Sequence, residues 1–299
     1  MKFEVKEGYT FRMKNLGKYL PVFLFGLLLI TNIFLWFAAW HEERGGILSV
    51  SVLDIGQGDA IFIEAPNGVQ VLLDGGPDSS VFRELSGVMP FYDRSIDMLI
   101  VSNPDKDHIA GFVDVLKRYD VGNEVEPGTL TATAVYTALG KGVSAEGLEP
   151  FTPKAGDRIV LDKKRGVILD VLFPDRDVSG LSTNDGSLIM KLTYGQTCFM
   201  LTGDTTKGVE EYLVELYGEK LDCDVLKVAH HGSRTSSSPG FVSAVSPEYA
   251  VISSGQGNSY GHPHQETLDT LNVAGAKILR TDELGTITLM TDGIKLWQK

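Results

Sequence analysis

The chain has 299 residues, of which 43% are hydrophobic, 9% aromatic and 22% charged. This balance is ordinary for a globular protein and excludes a mainly disordered chain. The formal net charge of −12 disfavours broad electrostatic capture of duplex DNA. It does not exclude a nucleic-acid enzyme, because divalent cations bound at an acidic centre would offset part of that charge.

The N-terminal part of the chain has the pattern of a membrane anchor. Residues 19–40 are 22 residues without a charge, long enough to cross a bilayer core of about 30 Å as a helix. Residues 1–18 form a short tail with five basic and two acidic side chains, which predicts a cytoplasmic N-terminus and an extracytoplasmic remainder. We favour a retained, single-pass anchor in the cell membrane. A cleaved signal peptide and a buried soluble helix are the alternatives.

The remainder, residues 41–299, is predicted to be one domain, because it shows no repeat, low-complexity tract or long linker. Its formal charge is −15, since the tail contributes +3 to the total. Cys198 and Cys223 are too few for a disulfide framework. They could form a single bridge, but we expect two buried thiols, and the sequence leaves both possibilities open.

Strand and helix patterns alternate along this domain in two similar halves. In the first half the predicted strands are 47–55, 59–65, 69–76 and 96–102, and the predicted helices are 79–92 and 108–120. In the second half the predicted strands are 166–174, 187–195, 197–204, 223–233 and 249–255, the predicted helices are 207–218, 239–247 and 264–275, and residues 286–297 form a hairpin. The pattern predicts an α/β fold of two sheets with helices outside, an αββα sandwich.

Polar clusters follow the apolar runs at the points where strands end, and loops of this kind commonly carry catalytic groups. Five of the six histidines lie in these loops, at His108, His230, His231, His262 and His264. Aspartate and histidine without cysteine suit Mn²⁺, Zn²⁺ or Fe²⁺. The segment Asp105-Lys-Asp107-His108 can direct three such side chains into a small volume, although a helix N-cap built on Asp105 or Asp107 is the structural alternative.

Several of these segments together resemble the metallo-β-lactamase superfamily, in particular the soluble hydrolase domain of ComEC-type DNA-uptake (competence) proteins. They are "VLDIGQGDAIFIEAPNGVQVLLDGG", "VSNPDKDHIAGF", "FMLTGD", "LKVAHHGSRTSSS" and "YGHPHQETL", and the likeness extends from about Ile47 to Trp297. The multi-span channel part of such proteins has no counterpart in this sequence. The resemblance therefore implies the hydrolase fold but assigns no DNA translocation to this chain.

The resemblance also implies a set of metal ligands. Asp107 and His108 would hold one ion together with a histidine of "AHHGS", for which we favour His231 over His230, and Asp204 would bridge two ions. The other ion would take Asp105 and Asn103, with Asn184 or Asp185 nearby. The family commonly has histidine where this chain has Asn103, so that second position is half-built or selects a harder ion such as Mn²⁺. Asp74 is expected to support the loop rather than to bind the metal.

One or two Mn²⁺ or Zn²⁺ ions in such a site imply a metal-dependent hydrolase, for which we expect phosphodiester hydrolysis of single-stranded DNA. Asp105 or Asp107 would orient the attacking water, and His262 or His264 would contact a phosphate oxygen or protonate the leaving group. A separate DNA-uptake channel protein would be the partner. The alternatives are a hydrolase of small exported esters or lactones, which suits the acidic charge better, and a degenerate binding domain, which Asn103 suggests.

Overall fold

The computed structural model describes residues 16–42 and 45–299, which form two separate units. The first is a single helix, α1 (Leu16–Glu42). Most of the predicted basic tail, up to residue 15, lies outside the described residues.

Helix α1 is long and apolar enough to cross a membrane over Lys18–Phe37, with a mean hydropathy of 2.2. Two polar side chains interrupt this surface, and each bonds to its own helix. Thr31 Oγ1 donates to the Leu27 carbonyl and Asn32 Nδ2 to the Leu28 carbonyl, both at 2.9 Å. Because each bond pairs a side-chain donor with a backbone carbonyl of the same helix, the cost of placing these side chains in lipid is reduced.

The second unit, residues 45–299, contains two halves of alternating strands and helices. The first half comprises, in chain order, β1 (Leu48–Val52), β2 (Ile61–Glu64), β3 (Gln70–Leu73), α2 (Val81–Val88), β4 (Ser95–Ile96), β5 (Met98–Ile100), α3 (Lys106–Val115), β6 (Asp120–Val121), β7 (Glu124–Val125) and α4 (Ala134–Ala145). The second half comprises β8 (Arg158–Asp162), β9 (Val167–Phe173), β10 (Ile189–Tyr194), β11 (Thr197–Leu201), α5 (Lys207–Tyr217), a 3₁₀ turn (Gly218–Leu221), β12 (Val225–Lys227), a second 3₁₀ turn (Ala229–Gly232), α6 (Pro239–Val245), β13 (Tyr249–Ile252), α7 (Gln265–Val273), β14 (Lys277–Arg280), α8 (Thr281–Leu284), β15 (Ile287–Thr291) and β16 (Leu296–Gln298).

These strands form two seven-stranded sheets of related design, and β4 pairs with β6 in a small third sheet. The first sheet has the order β16-β15-β1-β2-β3-β5-β7, and the second has the order β14-β13-β12-β11-β10-β9-β8. In each sheet the pairing is antiparallel except at one edge, where β3, β5 and β7, and likewise β11 to β14, run parallel. Strands β15 and β16 return to the first sheet, so that β1 lies between β15 and β2.

Three apolar clusters show the layer order. One lies between the sheets, a second packs α2, α3 and α4 on the first sheet, and a third packs α5, α6 and α7 on the second sheet. Successive side chains of a strand point to opposite faces of its sheet. Ile61 and Ile63 of β2 therefore enter the cluster between the sheets, whereas Phe62 faces the helices. The predicted αββα sandwich is therefore confirmed.

Some details differ from the sequence predictions. Helix α4 and strands β7, β8 and β14 were not predicted, and α3 ends at Val115, five residues earlier than expected. Cys198 and Cys223 form a disulfide with Cα atoms 5.3 Å apart, so the expectation of two free thiols was wrong. Neighbouring strands β11 and β12 place the two residues within bridging distance, a proximity that their separation of 25 residues in sequence does not reveal.

Candidate metal centre

Strand-end segments from both sheets bring four potential ligands together. Asp107 and His108 lie in the first turn of α3, after β5; Asp204 follows β11; and His231 lies in the 3₁₀ turn after β12. One ligand atom from each of these four side chains lies within 4.8 Å of the others. Asp107 is 37% exposed, whereas the other three side chains are buried, so the cluster opens to solvent on the Asp107 side.

Asp204 lies close to both buried imidazoles. Its Oδ2 is 3.1 Å from His108 Nε2 and 3.6 Å from His231 Nε2. His231 Nε2 is also 3.4 Å from Asp107 Oδ2. The Nε2 atoms of both rings are therefore directed at carboxylate oxygens across a small shared space.

The polar atoms that face this space lack ordinary hydrogen bonds. Among the described residues, His108 Nε2, His231 Nε2 and Asp204 Oδ1 are buried without a hydrogen-bond partner. Buried polar atoms rarely remain unpaired, and an ion is one of the groups that satisfies them. Two imidazole nitrogens and two carboxylates form a donor set that suits Zn²⁺, Mn²⁺ or Fe²⁺, so these residues fit a divalent cation.

The opposite edges of both imidazoles face buried carboxylates. His108 Nδ1 lies 2.8 Å from Asp74 Oδ2, and His231 Nδ1 lies 3.3 Å from Asp59 Oδ1. The backbone N–H of Ser102 donates to the Asp74 carboxylate at 2.7 Å, which ties β5 to the loop after β3. These contacts have the form that metal-binding histidines usually show, because the second ring nitrogen fixes the orientation of the first. Asp59, Asp74 and His108 also form a second group whose ligand atoms lie within 4.8 Å of one another, so the supporting role of Asp74 stays a prediction.

The electrostatics of the cluster favour a cation. Burial alone would lower the pKa of His108, but the Asp204 and Asp74 carboxylates outweigh it and raise that pKa well above its usual value. In the same way Asp204 and Asp59 overcome burial and raise the pKa of His231 to about 9. Burial would raise the pKa of Asp204, but the two histidines hold it below its usual range. The carboxylates thus create a strongly negative potential at the point where the four side chains meet.

Backbone strain is concentrated at the histidine pair. His230 and His231 have φ angles of 51° and 55°, in the left-handed region that non-glycine residues rarely adopt. His231 is buried, whereas the His230 side chain is 24% exposed and its Nδ1 faces Thr235 Oγ1 at 3.2 Å. His230 Nε2 is 3.8 Å from Asp204 Oδ2. The geometry therefore favours His231 over His230 as the ligand of this pair.

Asn103 and Asp105 lie in the same loop, but the structure does not bring them into the group of four. Asn103 Nδ2 donates to Asn184 Oδ1 at 2.8 Å, and its Oδ1 accepts the backbone N–H of Asp105 at 2.9 Å. Asp105 occupies the N-cap position of α3 without a side-chain capping bond, and its Oδ2 instead accepts a hydrogen bond from Thr183 at 2.9 Å. Both ends of the Asn103 amide are therefore in use within the protein.

The two remaining predicted residues border the cluster from the loop before α7. The His262 ring centroid is 6.3 Å from that of His231 and 4.9 Å from that of His264. Gln57 Nε2 lies 3.4 Å from His262 Nδ1, and the Arg234 backbone N–H donates to His264 Nδ1 at 3.1 Å. Burial, followed by the neighbouring histidines, lowers the pKa of His262 to about 4. His262 is therefore neutral near pH 7.

Asp59 and Lys227 form a buried ion pair next to His231, and neither was predicted as a site residue. A charged residue inside an otherwise apolar segment is the signal that could have identified both. Lys227 interrupts "DVLKVA", and Asp59 immediately precedes the apolar strand "AIFI".

The fold and the cluster together define a protein with the architecture of a metal-dependent hydrolase. Residues 53–256 match the family model of the metallo-beta-lactamase superfamily, and the chain belongs to that superfamily.

Its relatives include two bacterial proteins, each similar to this chain over 80% of its length. "ComE operon protein 3" of Bacillus subtilis is 32% identical over 255 residues, and "Competence protein ComA" of Neisseria gonorrhoeae is 33% identical over 243 residues. The chain spans about a third of the length of these relatives, 32% in both cases.

Among solved structures, CmlA, a diiron beta-hydroxylase from Streptomyces venezuelae, is similar with a TM-score of 0.54 and 13% identity. The similarity covers 82% of this chain and 54% of CmlA. At this identity it shows a shared fold alone.

Proposed function

We propose that this protein is a membrane-anchored, metal-dependent phosphodiesterase that acts as a nuclease on single-stranded DNA. The observation that carries the proposal is the group formed by Asp107, His108, Asp204 and His231, whose ligand atoms converge within 4.8 Å. A divalent cation bound among these two imidazoles and two carboxylates would satisfy the buried nitrogens that lack a hydrogen-bond partner.

These four residues would hold one divalent cation, with Asp204 placed to bridge to a second. Asp105 and Asn103 would serve the second ion, Mn²⁺ or Zn²⁺, if the contacts of Asn103 with Asn184 and the Asp105 backbone rearrange. A divalent cation in such a site lowers the pKa of water and stabilises negative charge that develops at phosphorus. Asp107, which is partly exposed, would orient the attacking water, and Asp105, in the preceding turn, is the second candidate for this role.

His262 and His264 would act on the phosphate. Gln57 Nε2 faces His262 Nδ1, and the Arg234 N–H donates to His264 Nδ1, so each Nδ1 is an acceptor and a ring proton resides on Nε2. Both rings then present an N–H donor beside the cluster. Such donors can bind a phosphate oxygen, whereas protonation of the leaving group would need a charged imidazolium, which the lowered pKa of His262 disfavours for that ring.

The choice of DNA as substrate rests on the relatives, one of which carries the name "Competence protein ComA". Those relatives are about two and a half times as long as this chain, because the matched segment is 80% of this chain and 32% of each relative. We therefore propose that a separate DNA-uptake channel protein is the partner, and that this chain supplies hydrolysis beside it. Single strands are the preferred substrate because the net charge of −12 disfavours extended capture of duplex DNA.

Helix α1 would anchor the protein through residues 19–40, with the basic tail in the cytoplasm and residues 41–299, the hydrolase domain, on the other side.

A small ester or lactone remains a second candidate substrate, because the domain's charge of −15 suits a neutral molecule better than a polyanion. The occupied amide of Asn103 favours a third candidate, a non-catalytic binding domain.

The test uses the full-length chain in detergent, loaded with Mn²⁺ or Zn²⁺, beside Asp204→Asn and the surface control Asp114→Asn on α3. We expect one to two metal equivalents in the wild type and the control, and loss of metal and of single-stranded DNA cleavage in Asp204→Asn. Cleavage of a neutral ester alone would support the second candidate. Metal-free protein, or loaded protein that leaves both DNA and a simple phosphodiester intact, would refute the proposal.

A further inference from the structure

A lysine and an aspartate form an ion pair in the interior of the domain. Lys227 ends β12 in the second sheet, and Asp59 precedes β2 in the first sheet. Their side chains are 2% and 1% exposed, and Lys227 Nζ lies 2.7 Å and 2.8 Å from the two Asp59 carboxylate oxygens. The pair therefore joins the two sheets at the level where the strands end.

The apolar surroundings of Lys227 make its charge unusual. It borders a small cavity together with Val50 of the first sheet and Phe199 of the second. Its Nζ makes one further bond, to the Val228 carbonyl at 3.1 Å. A lysine is rarely buried to this degree without a specific partner, and here that partner is Asp59.

Asp59 connects this ion pair to the candidate metal centre by two routes. Its Oδ1 lies 3.3 Å from His231 Nδ1, and its backbone N–H donates to the Asp107 carbonyl at 3.2 Å. The preceding Gly58 has a φ of 122° and approaches the Asp107 carbonyl so closely that a Cβ would lie 2.1 Å from it. Asp59 is thus held directly against two of the four candidate ligands.

Stability alone does not account for such a pair. Removing two charges from water is costly, and well-packed apolar residues of similar volume often serve equally well or better in a protein interior. The Asp59 carboxylate, whose Oδ1 lies 3.3 Å from His231 Nδ1, has in contrast a definite consequence, because a negative charge at that edge of the ring favours the tautomer with its proton on Nδ1. The ring then directs its Nε2 lone pair at Asp107 and Asp204, which is the orientation that metal binding needs.

We infer that Lys227 and Asp59 are positioning residues for His231. The Lys227 ammonium fixes the Asp59 carboxylate, and the carboxylate fixes the imidazole with Nε2 toward the cation site. The inference rests on the proposed metal centre. It adds the requirement of an intact Lys227–Asp59 pair for metal binding. The four ligands alone do not impose this requirement, because in the contacts described above Lys227 touches none of their side chains.

The experiment measures zinc and cobalt affinity of the full-length chain in detergent by competition with a chelator. We compare the wild type, Lys227→Met and Asp59→Asn, and use Asp162→Asn as a matched control. Asp162 is also a buried carboxylate with a cationic partner, Arg165, but it lies on the edge strand β8. We expect about 10- to 100-fold weaker binding in the first two variants and less than about twofold change in the control.

A double variant, Asp59→Leu with Lys227→Met, separates positioning from mere stability. We expect its melting temperature to recover toward that of the wild type, because no unpaired charge remains, while its metal affinity stays weak. In the zinc-loaded wild type, ¹⁵N-histidine NMR is expected to show His231 protonated on Nδ1, and the double variant is expected to lose that signature.

Recovery of both stability and affinity in the double variant would overturn the inference, and so would single variants that bind zinc as tightly as the wild type. Either result leaves the proposed function intact, because the wild type still binds metal. A wild-type chain that takes up no metal would refute the proposed function and this inference together.

Discussion

His230 and His231 are neighbours in sequence and share a strained backbone, yet their side chains have different surroundings. His231 is buried, and its two ring nitrogens face Asp59 on one side and Asp107 and Asp204 on the other. His230 is partly exposed and contacts Thr235. The left-handed conformation, which non-glycine residues rarely adopt, occurs at both positions of this pair.

We therefore expect unequal effects of substitution at the two positions. His231→Ala should weaken zinc binding by at least about tenfold, because it removes a buried ligand whose orientation is fixed from behind. His230→Ala should change zinc binding by less than about threefold. Isothermal titration of zinc into each variant measures both values. A larger loss in His230→Ala would assign the ligand role to His230 instead.

Some residues of the candidate site could be identified from the sequence, and others could not. Asp107, His108, Asp204 and His231 stand in strand-end loops, where charge and imidazole are conspicuous. Asp59 and Lys227 are less so, because each occupies one position beside an apolar run and their pairing joins residues 168 apart in the chain. The contacts of Asn103 with Asn184 also depend on tertiary proximity, so the sequence could suggest a weaker second position but not that its amide is already in use.

At the scale of elements, α3 approaches the loop after β3 through Gly111, which packs against Gly75 and Gly76 of that loop. The Gly111 N–H donates to the Gly76 carbonyl at 3.0 Å, and a Cβ on Gly111 would lie 1.9 Å from the Gly75 carbonyl oxygen. This close approach places His108, at the start of α3, beside Asp74 at the start of that loop. A larger residue at position 111 would therefore separate a candidate ligand from its support.

Gly111→Ala should destabilise the protein by about 3 kcal/mol, because the added methyl group meets rigid backbone rather than a movable side chain. We also expect weaker zinc binding. Gly140→Ala is the matched control, because Gly140 lies in α4 and no atom lies within 4 Å of a new Cβ. This substitution should raise the free energy of unfolding by about 0.5–1 kcal/mol. Chemical denaturation gives both free energies, and a harmless Gly111→Ala would contradict the packing described here.

The edge strand β7 carries a buried acid that lies outside the candidate metal centre. Glu124 is 3% exposed, and burial, followed by the nearby Glu126, raises its pKa to about 7. Tyr136 of α4 donates to Glu126 Oε2 at 3.0 Å, whereas Glu124 Oε2 has no hydrogen-bond partner among the described residues. The folded protein therefore binds a proton at Glu124 between pH 4.5 and 7 that the unfolded chain releases.

Because the folded state binds this proton more tightly, the free energy of unfolding falls as the pH rises through that window. The full loss of stability is present above pH 7. We expect Glu124→Gln to match the wild type near pH 5 and to exceed it at pH 8, by an amount of the order of 3 kcal/mol. Thermal melts at both pH values measure the change, with the exposed Glu149→Gln as control. Equal stability of Glu124→Gln and the wild type at pH 8 would show that this carboxyl does not titrate as described.

Elements with a clear pattern were predictable, and those without one were not. The alternating burial of β9 and the apolar spacing of α5 are visible in sequence. Helix α4 buries only Leu139 and Val143 and contains two glycines, so it has little apolar periodicity. Strand β8 has only two buried residues at its end and lies at the sheet edge, where a pattern is not needed.

At the scale of the whole molecule, the apolar helix and its basic tail predict that residues 41–299 lie outside the cytoplasm. A protease added outside intact cells should digest residues 41–299 while an epitope tag on the N-terminus remains protected. Immunoblotting for the tag measures this, and a cytoplasmic enzyme serves as the control for cell integrity. Protection of the domain would place it in the cytoplasm and remove the basis for an exported nuclease.

The pairing of β1 with β15 has a consequence for the timing of folding. Leu48 pairs with Thr291, so the first sheet stays incomplete until nearly the whole chain has been synthesised. Contacts between residues so distant in sequence form slowly, because the intervening chain must first be ordered. In the topology proposed above, export of the domain would therefore begin before its first sheet could close, because β15 and β16 are the last strands to be synthesised.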